Sequence, residues 1–244
     1  MWKGKLYFKK IRDIFFPLVC AGCGKQINTN SLFCVECQES IQVITLPFCQ
    51  ICGRPFPLKY TSTHVCGGCL KNPPFFKAAR SVFIYTEPIK RSIIQFKFKG
   101  NTALANDLAK MLLFHLQDFL GQIKPETVIP VPLHLKRLRE RGYNQCVLLA
   151  QIIAKYLKIP CEKMVLKKVK PTLPQVGLSQ AQRHKNVKGS FAVIHPQLVK
   201  GKRILLIDDV FTTGSTVNEC AKVLHKAGAS GVWVATLSRT TDVS

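Results

Sequence analysis

The sequence predicts a two-part α/β protein: a mostly parallel sheet covered by helices on both sides, preceded by a small metal-held module. Three observations carry that prediction. Strand and helix patterns alternate from about residue 80 onward, four Cys-x-x-Cys pairs crowd the first 69 residues, and the apolar run Ile204 to Ile207 is followed at once by two acids and a hydroxyl-rich turn. With 244 residues, 47% of them hydrophobic, the chain can fill one large core, or a mid-sized core with a small attachment, and is not a disordered chain.

The chain opens MWKGKLYFKKIRDIFFPLV, basic and then apolar. The uncharged apolar run from Ile14 to Val19 is six residues long, and cysteines follow where a signal peptide would carry a small-residue cleavage site. No later segment reaches the roughly 18 uncharged apolar residues that crossing a bilayer requires. A soluble cytoplasmic protein without a transmembrane segment is therefore expected. Tyr7 to Phe16 reads as a short amphipathic helix lying on the small domain or, as the alternative, on a membrane surface.

The paired cysteines are Cys20/Cys23, Cys34/Cys37, Cys49/Cys52 and Cys66/Cys69. Two thiolates separated by two residues reach one ion from a tight turn, and two such turns complete a tetrahedral zinc site. Gly24 and Gly53 follow a second cysteine, and Gly67 and Gly68 lie inside a pair, where backbone amides must turn toward sulfur. Disulfides are disfavoured because nothing marks the chain as secreted, and thioredoxin-type redox pairs lack their strand-to-helix context. Two structural zinc ions are expected, without an open coordination position. The simplest connectivity is sequential, Cys20, Cys23, Cys34 and Cys37 on one ion and Cys49, Cys52, Cys66 and Cys69 on the other, with an interleaved arrangement open. His64 is expected on the surface or behind the ligands. Cys146, Cys161 and Cys220 stand alone in apolar patterns and are expected to pack as small hydrophobes.

Pro73 and Pro74 read as a hinge, dividing a cysteine-rich unit at 1–74 from a larger domain at 75–244. The larger domain then reads in order. Arg80 to Tyr85 is a strand, Ile89 to Gly100 a basic segment, and Thr102 to Leu120 a helix with an apolar stripe at Leu104, Leu108, Leu112, Leu116 and Leu120. Thr127 to Val131 is a short strand and Asn144 to Leu157 an amphipathic helix. Arg203 to Ile207 has the unbroken apolar character of a strand buried on both faces of a parallel sheet. Val217 to Ala227 is a helix ended by Gly228, and Val232 to Leu237 is a final strand. In such sheets ligands bind beyond the carboxyl ends of the strands.

The segment RILLIDDVFTTGST holds the densest chemistry. A helix start offers free amide donors and a positive dipole end, Gly214 lets backbone approach closely, and Thr212, Thr213, Ser215 and Thr216 add hydroxyl donors, so the turn suits a phosphate. Asp208 and Asp209 would repel that phosphate unless they face something else, and the vicinal hydroxyls of a ribose or a magnesium ion would satisfy them. Taken singly, each residue reads equally well as a turn or helix cap. Taken together, they describe a sugar phosphate pocket. A Walker A loop is excluded by the missing lysine after the glycine, and a dinucleotide fingerprint by the missing G-x-G-x-x-G spacing.

This segment resembles the phosphoribosyl pyrophosphate motif of the type I phosphoribosyltransferases. The likeness widens to the cysteine pairs, KFKGN (Lys97 to Asn101), VIPVPLHLKRLRERGYNQ (Val128 to Gln145) and PTLPQVGLSQAQRHKNVKGSF (Pro171 to Phe191), which together are similar to the ComF family over nearly the whole chain. The resemblance implies a type I phosphoribosyltransferase fold behind a zinc-ribbon-like domain, and a part in DNA uptake during natural transformation. It also implies that Asp208 and Asp209 hold the ribose hydroxyls, Thr212 to Thr216 the 5-phosphate, and Lys97, Lys99 and Gly100 the pyrophosphate, with Mg2+ accompanying it. Lys168 and Lys170 stand where relatives often carry arginine, keeping the charge and losing the planar two-pronged grip.

The formal charge is +23, from 36 Lys and Arg against 13 Asp and Glu, and such an excess favours a polyanion or an anionic surface. Arg137, Arg139, Arg141, Tyr143 and Arg183 are the nucleic-acid candidates, and the rings of QFKFKG would stack on bases. Solvated basic stretches look the same in sequence. Two functions of different class follow. One is handling of single-stranded DNA, directly or through a helicase or recombination protein docked on the zinc module; the other is a Mg2+-dependent phosphoribosyl transfer to a small acceptor. Residues 171 to 190, polar and bounded by Pro171 and Gly189, are expected to form a mobile lid.

Overall fold

The computed structural model describes residues 18–28, 31–57, 62–172 and 180–241. The expected helix at Tyr7 to Phe16 lies outside them. Among the described residues no helix is long and apolar enough to cross a membrane.

In the cysteine-rich segment, short helices α1 (Val35–Ser40) and α2 (Gly67–Lys71) each begin directly after a cysteine, Cys34 and Cys66. The larger part then runs β1 (Ala78–Ile84), α3 (Ile89–Phe98), α4 (Leu104–His115), α5 (Gln117–Ile123), β2 (Thr127–Pro130), α6 (Leu135–Arg141) and α7 (Gln145–Leu157). It continues with β3 (Leu166–Lys168), α8 (Gln180–Val187), β4 (Phe191–Val193), β5 (Arg203–Phe211), α9 (Ser215–Lys226) and β6 (Gly231–Arg239). Four strands form one parallel sheet in the order β1-β6-β5-β2, and β3 and β4 make a separate antiparallel pair.

The central strand β5 explains the two-sided architecture. Leu205 and Ile207 face a core filled from α3, α4 and α7 by residues such as Phe96, Leu108, Leu112, Leu149 and Ile153. Ile204 and Leu206 face the opposite core, filled from α9 and the β3–β4 pair by Val217, Leu224, Leu166 and Phe191. Each such side chain contributes roughly 1.5–3 kcal/mol on leaving water, which is why an unbroken apolar run belongs in the middle of a parallel sheet.

Several boundaries differ from the sequence expectation. The basic segment at 89–100 is mostly helix, because Ile89, Ile93 and Phe96 fall on one face and are fully buried. The long helix expected at Thr102 to Leu120 divides at Leu116 into α4 and α5, the second closing at Lys124 with φ 44°. The strand β5 runs on to Phe211, so Asp208 and Asp209 stand within it and not at its end. The hydroxyl turn is correspondingly shorter, and α9 begins at Ser215. Residues 171 to 190 are not loop throughout, since α8 occupies 180–187; residues 173–179 are outside the described residues. The Pro73–Pro74 segment is tied to the larger part, with the Phe75 amide donating to Asn218 Oδ1 at 2.7 Å and Phe76 buried beside Phe211.

Candidate functional site: two sulfur centres and a cleft beyond the sheet

The eight paired cysteines gather into two groups, Cys20, Cys23, Cys34 and Cys37 in one and Cys49, Cys52, Cys66 and Cys69 in the other, with sulfurs within 4.8 Å of one another in each. The sequential connectivity is therefore the one adopted. Cys23 and Cys34 sulfurs lie 3.7 Å apart, as do those of Cys52 and Cys66. A disulfide requires about 2.0 Å, whereas four sulfurs at about 2.3 Å around a tetrahedral zinc are separated by roughly 3.8 Å. The cavity between the sulfurs fits zinc. Backbone amides complete each site: Gly22 and Cys34 donate to Cys20 Sγ at 3.4 and 3.2 Å, and Cys66 donates to Cys49 Sγ at 3.3 Å. Burial alone would raise the thiols of Cys20 and Cys49, but these amides outweigh it and bring each down to about 6. His64 is exposed and stacks on Phe56 at 4.0 Å.

Both centres are docked against the sheet domain. Beside the first, Gln95 on α3 donates to the Ala21 carbonyl at 3.0 Å, and Gly22 sits so close to Pro88 that a Cβ would lie 2.4 Å from it. Beside the second, Arg80 on β1 donates to the Gln50 carbonyl at 3.0 Å, and buried Arg239 at the end of β6 donates to the Cys52 carbonyl at 2.6 Å. The Arg239 guanidinium also lies 4.9 Å from the centre of the Phe211 ring.

Beyond the carboxyl ends of β5 and β2 opens a cleft of about 1110 Å³, as expected for an open parallel sheet. On one side stands the turn after β5, with Thr212, Gly214, Ser215 and Thr216 lining the cleft. The Thr213 and Ser215 hydroxyls share a hydrogen bond at 2.7 Å, and α9 starts immediately behind them. Gly214 has φ +77°, and a Cβ there would meet the Phe211 ring at 2.6 Å. Gly214→Ala is accordingly expected to cost about 1–3 kcal/mol of stability and to displace the turn; urea unfolding with an unchanged midpoint would show that neither constraint operates.

Asp208 and Asp209 form the floor. Lys97, from the last turn of α3, approaches Asp209 to 2.8 Å, and Gln145 at the start of α7 donates its amide to the same carboxylate at 2.6 Å. Burial would raise Asp209, but Lys97 and these hydrogen bonds hold it below the usual carboxylate range, and Asp209 in turn raises Lys97 against the effect of burial. Asp208 makes no direct ion pair among the described residues, and Lys97 acts on it only from a distance. Burial and the neighbouring Asp209 push it up to about 7. Its Oδ1 accepts from the Asp209 amide at 2.9 Å and from Cys146 Sγ at 3.4 Å. Cys146 thus does more than pack, although burial keeps its thiol protonated. The lining is also cationic, with Lys136, Arg137, Arg141, Lys168 and Arg183 contributing to it. Arg183 Nε is buried and has no hydrogen-bond partner among the described residues.

Most of the residues singled out in the sequence meet in this cleft. Lys97, Asp208, Asp209, Thr212, Gly214, Ser215, Thr216, Arg137, Arg141 and Arg183 line it, while exposed Lys99, Gly100 and Arg139 do not. Tyr143 is turned inward, its hydroxyl donating to the Phe96 carbonyl. Sequence reasoning missed Gln145 and Cys146 as site residues, and also His134 and Lys136. Gln145 follows the helix cap Asn144, which made its type look structural, and its role depends on a partner 64 residues away.

The chain matches the double zinc ribbon domain over residues 11–70 and the phosphoribosyl transferase domain over residues 143–241. Fold and sulfur centres thus define a type I phosphoribosyltransferase-type domain carrying an N-terminal double zinc ribbon. Over 231 residues the chain is 38% identical to competence protein F of Haemophilus influenzae, covering 92% of this chain and 98% of the relative. Over 226 residues it is 32% identical to the DNA utilization protein YhgH of Escherichia coli O157:H7, covering 91% and 90%. The chain belongs to the ComF family. Among solved structures, it is similar to the glutamine phosphoribosylpyrophosphate amidotransferase from B. subtilis, at 21% identity and a TM-score of 0.41, covering 59% of this chain and 30% of that one.

Proposed function

We propose that this chain acts in DNA uptake during natural transformation, in the cytoplasm, binding single-stranded DNA along its basic wall and phosphoribosyl pyrophosphate with Mg2+ in the cleft. The names of its relatives, competence protein F and DNA utilization protein, point the same way. Most weight rests on one feature, a hydroxyl-bearing turn, paired acids and several cations gathered around one cleft. The turn at Thr212 to Thr216 would take the 5-phosphate and the acids the ribose hydroxyls. Lys97 would stand between acids and pyrophosphate, with Lys99 and Gly100 at the rim beyond it. The zinc ribbons are suited to docking a helicase or recombination protein.

Magnesium fits this donor set in a limited way. Asp209 is already engaged by Lys97 and Gln145, and the Cys146 thiol is a poor partner for a hard cation, so Asp208 is the carboxylate left to meet it. The remaining ligands would be water and the oxygens of the bound pyrophosphate. Bound there, the ion would neutralise charge on the pyrophosphate.

A second reading, transfer of the phosphoribosyl group to a small acceptor, is favoured by size. The cleft, at about 1110 Å³, exceeds the roughly 300–1,000 Å³ typical of a small-ligand site. An acceptor would attack the anomeric carbon while the bond to pyrophosphate breaks and pyrophosphate leaves with its charge matched by cations.

Calorimetric titration of the zinc-loaded protein with phosphoribosyl pyrophosphate and Mg2+, with and without an oligothymidylate, tests the reading. Binding of both, with sugar phosphate affinity at least tenfold weaker in Thr212→Val, is the expected result. Absence of heat from either ligand would sink that half of the proposal. Pyrophosphate release on adding candidate acceptors would instead establish transfer.

A further inference from the structure

The rings of QFKFKG do not behave alike. Residues two apart on a helix point about 200° away from each other, and Phe96 is fully buried while Phe98, at the end of α3, is 60% exposed. Lys97 turns inward to Asp209. One aromatic face is therefore left at the rim of the cleft. The Arg141 guanidinium lies 4.8 Å from the Phe98 ring centre, and the Lys97 ammonium 5.9 Å from it. Phe98, Arg137, Glu140 and Arg141 also line an open side recess of about 150 Å³, and all four line the main cleft as well.

Arg141 is not a loose surface cation. It donates to Gln145 Oε1 at 2.6 Å, Gln145 donates to Asp209 at 2.6 Å, and burial lowers the Arg141 pKa without removing its charge. The guanidinium is thereby pinned beside the Phe98 ring, with the rest of the ring facing solvent. An anchored cation beside an open aromatic surface, next to a pocket shaped for sugar phosphate, is the arrangement that holds one base of a strand by stacking and its phosphate by charge.

We propose that Phe98, Arg137 and Arg141 form a nucleobase subsite, in which one base of single-stranded DNA stacks on Phe98 while the adjoining phosphate meets Arg137 and Arg141. This rests on the single-stranded DNA reading above. Phe98 supplies the stacking surface, and Arg137, whose ion pair among the described residues is a 4.0 Å approach to Glu140, is available to a phosphate. Arg141 and Gln145 link the subsite to the floor of the sugar phosphate cleft.

The test uses the full-length zinc-loaded protein and an oligothymidylate carrying one 2-aminopurine, whose fluorescence falls when it stacks on an aromatic ring. Wild type is expected to quench the probe on binding. Phe98→Ala is expected to lose that additional quenching, bind about ten- to a hundredfold more weakly, and keep an unchanged salt dependence. Phe98→Tyr should retain both affinity and quenching. Arg137→Ala is expected to reduce the salt slope by about one. Equal affinity and quenching in wild type and Phe98→Ala overturns the subsite while leaving DNA binding in place. Failure of wild type to bind the oligonucleotide removes the DNA reading and the subsite together. Zinc content and the urea unfolding midpoint, measured in the same variants, report whether Phe98→Ala has kept its fold.

Discussion

Cys49→Ser is expected to lower the zinc content from two ions per chain to one and to unfold the second ribbon. Cys49 is fully buried, accepts the Cys66 amide, and shares its centre with three other sulfurs. A ribbon this small has no core of its own to fall back on, so the free energy of metal binding is folding free energy, about 10–16 kcal/mol in comparable peptides. The damage should reach the cleft. Arg239 is held by the Cys52 carbonyl and lies over Phe211, whose ring supports the turn at Gly214. Weaker sugar phosphate binding is therefore expected alongside the lost metal, while Cys161→Ser, outside both centres, should change neither. Retention of two zinc ions by Cys49→Ser would contradict the assigned ligand set.

The two acids should respond oppositely to neutralisation. Asp209→Asn removes the partner of Lys97, leaving a largely buried cation unpaired, and is expected to cost about 3 kcal/mol of stability near neutral pH. Asp208→Asn is expected to stabilise the ligand-free protein. The Asp208 carboxyl rises in the fold from 3.8 to about 7. Below the lower value both folded and unfolded chains hold the proton, so Asp208 contributes nothing to the difference between them. Between the two values the folded chain keeps a proton that the unfolded chain has released, so stability falls with rising pH, and above about 7 the full penalty is present. The gain from Asp208→Asn should therefore grow from near zero at pH 3.5 to on the order of 4 kcal/mol at pH 8. Guanidinium unfolding at a series of pH values measures it. A gain that is flat with pH would show that Asp208 is not the group so raised. Both variants are expected to lose sugar phosphate affinity, which separates the needs of the ligand from those of the fold.

How much of this was readable in advance follows the range of the interactions. The sulfur centres were legible because each Cys-x-x-Cys turn is a local device, and pairing the turns in order needed only proximity. The strand at Arg203 to Ile207 and the turn behind it were legible for the same reason. The helix at Ile89 to Phe98 was not, since lysine alternating with phenylalanine in QFKFKG imitates a strand period, and only burial of Ile89, Ile93 and Phe96 decides for helix. The strands β3 and β4 were missed because three residues carry almost no periodic signal. The Lys97 to Asp209 pair spans 112 positions, and nothing near either residue announces the other.

The strand order has a bearing on how the protein is made. β6 is synthesised after every other strand of the sheet, yet it lies between β1 and β5 and is, among the described residues, the one strand of the sheet that β1 pairs with. The ribbons can close on metal once the first 69 residues have left the ribosome, but the sheet cannot join until Gly231 to Arg239 emerges. During that interval β1 and β5 wait with open edges, a condition that favours chaperone capture or pairing with another chain. A ribosome that stalls late in this message would release a metal-loaded fragment with half of its sheet unmade.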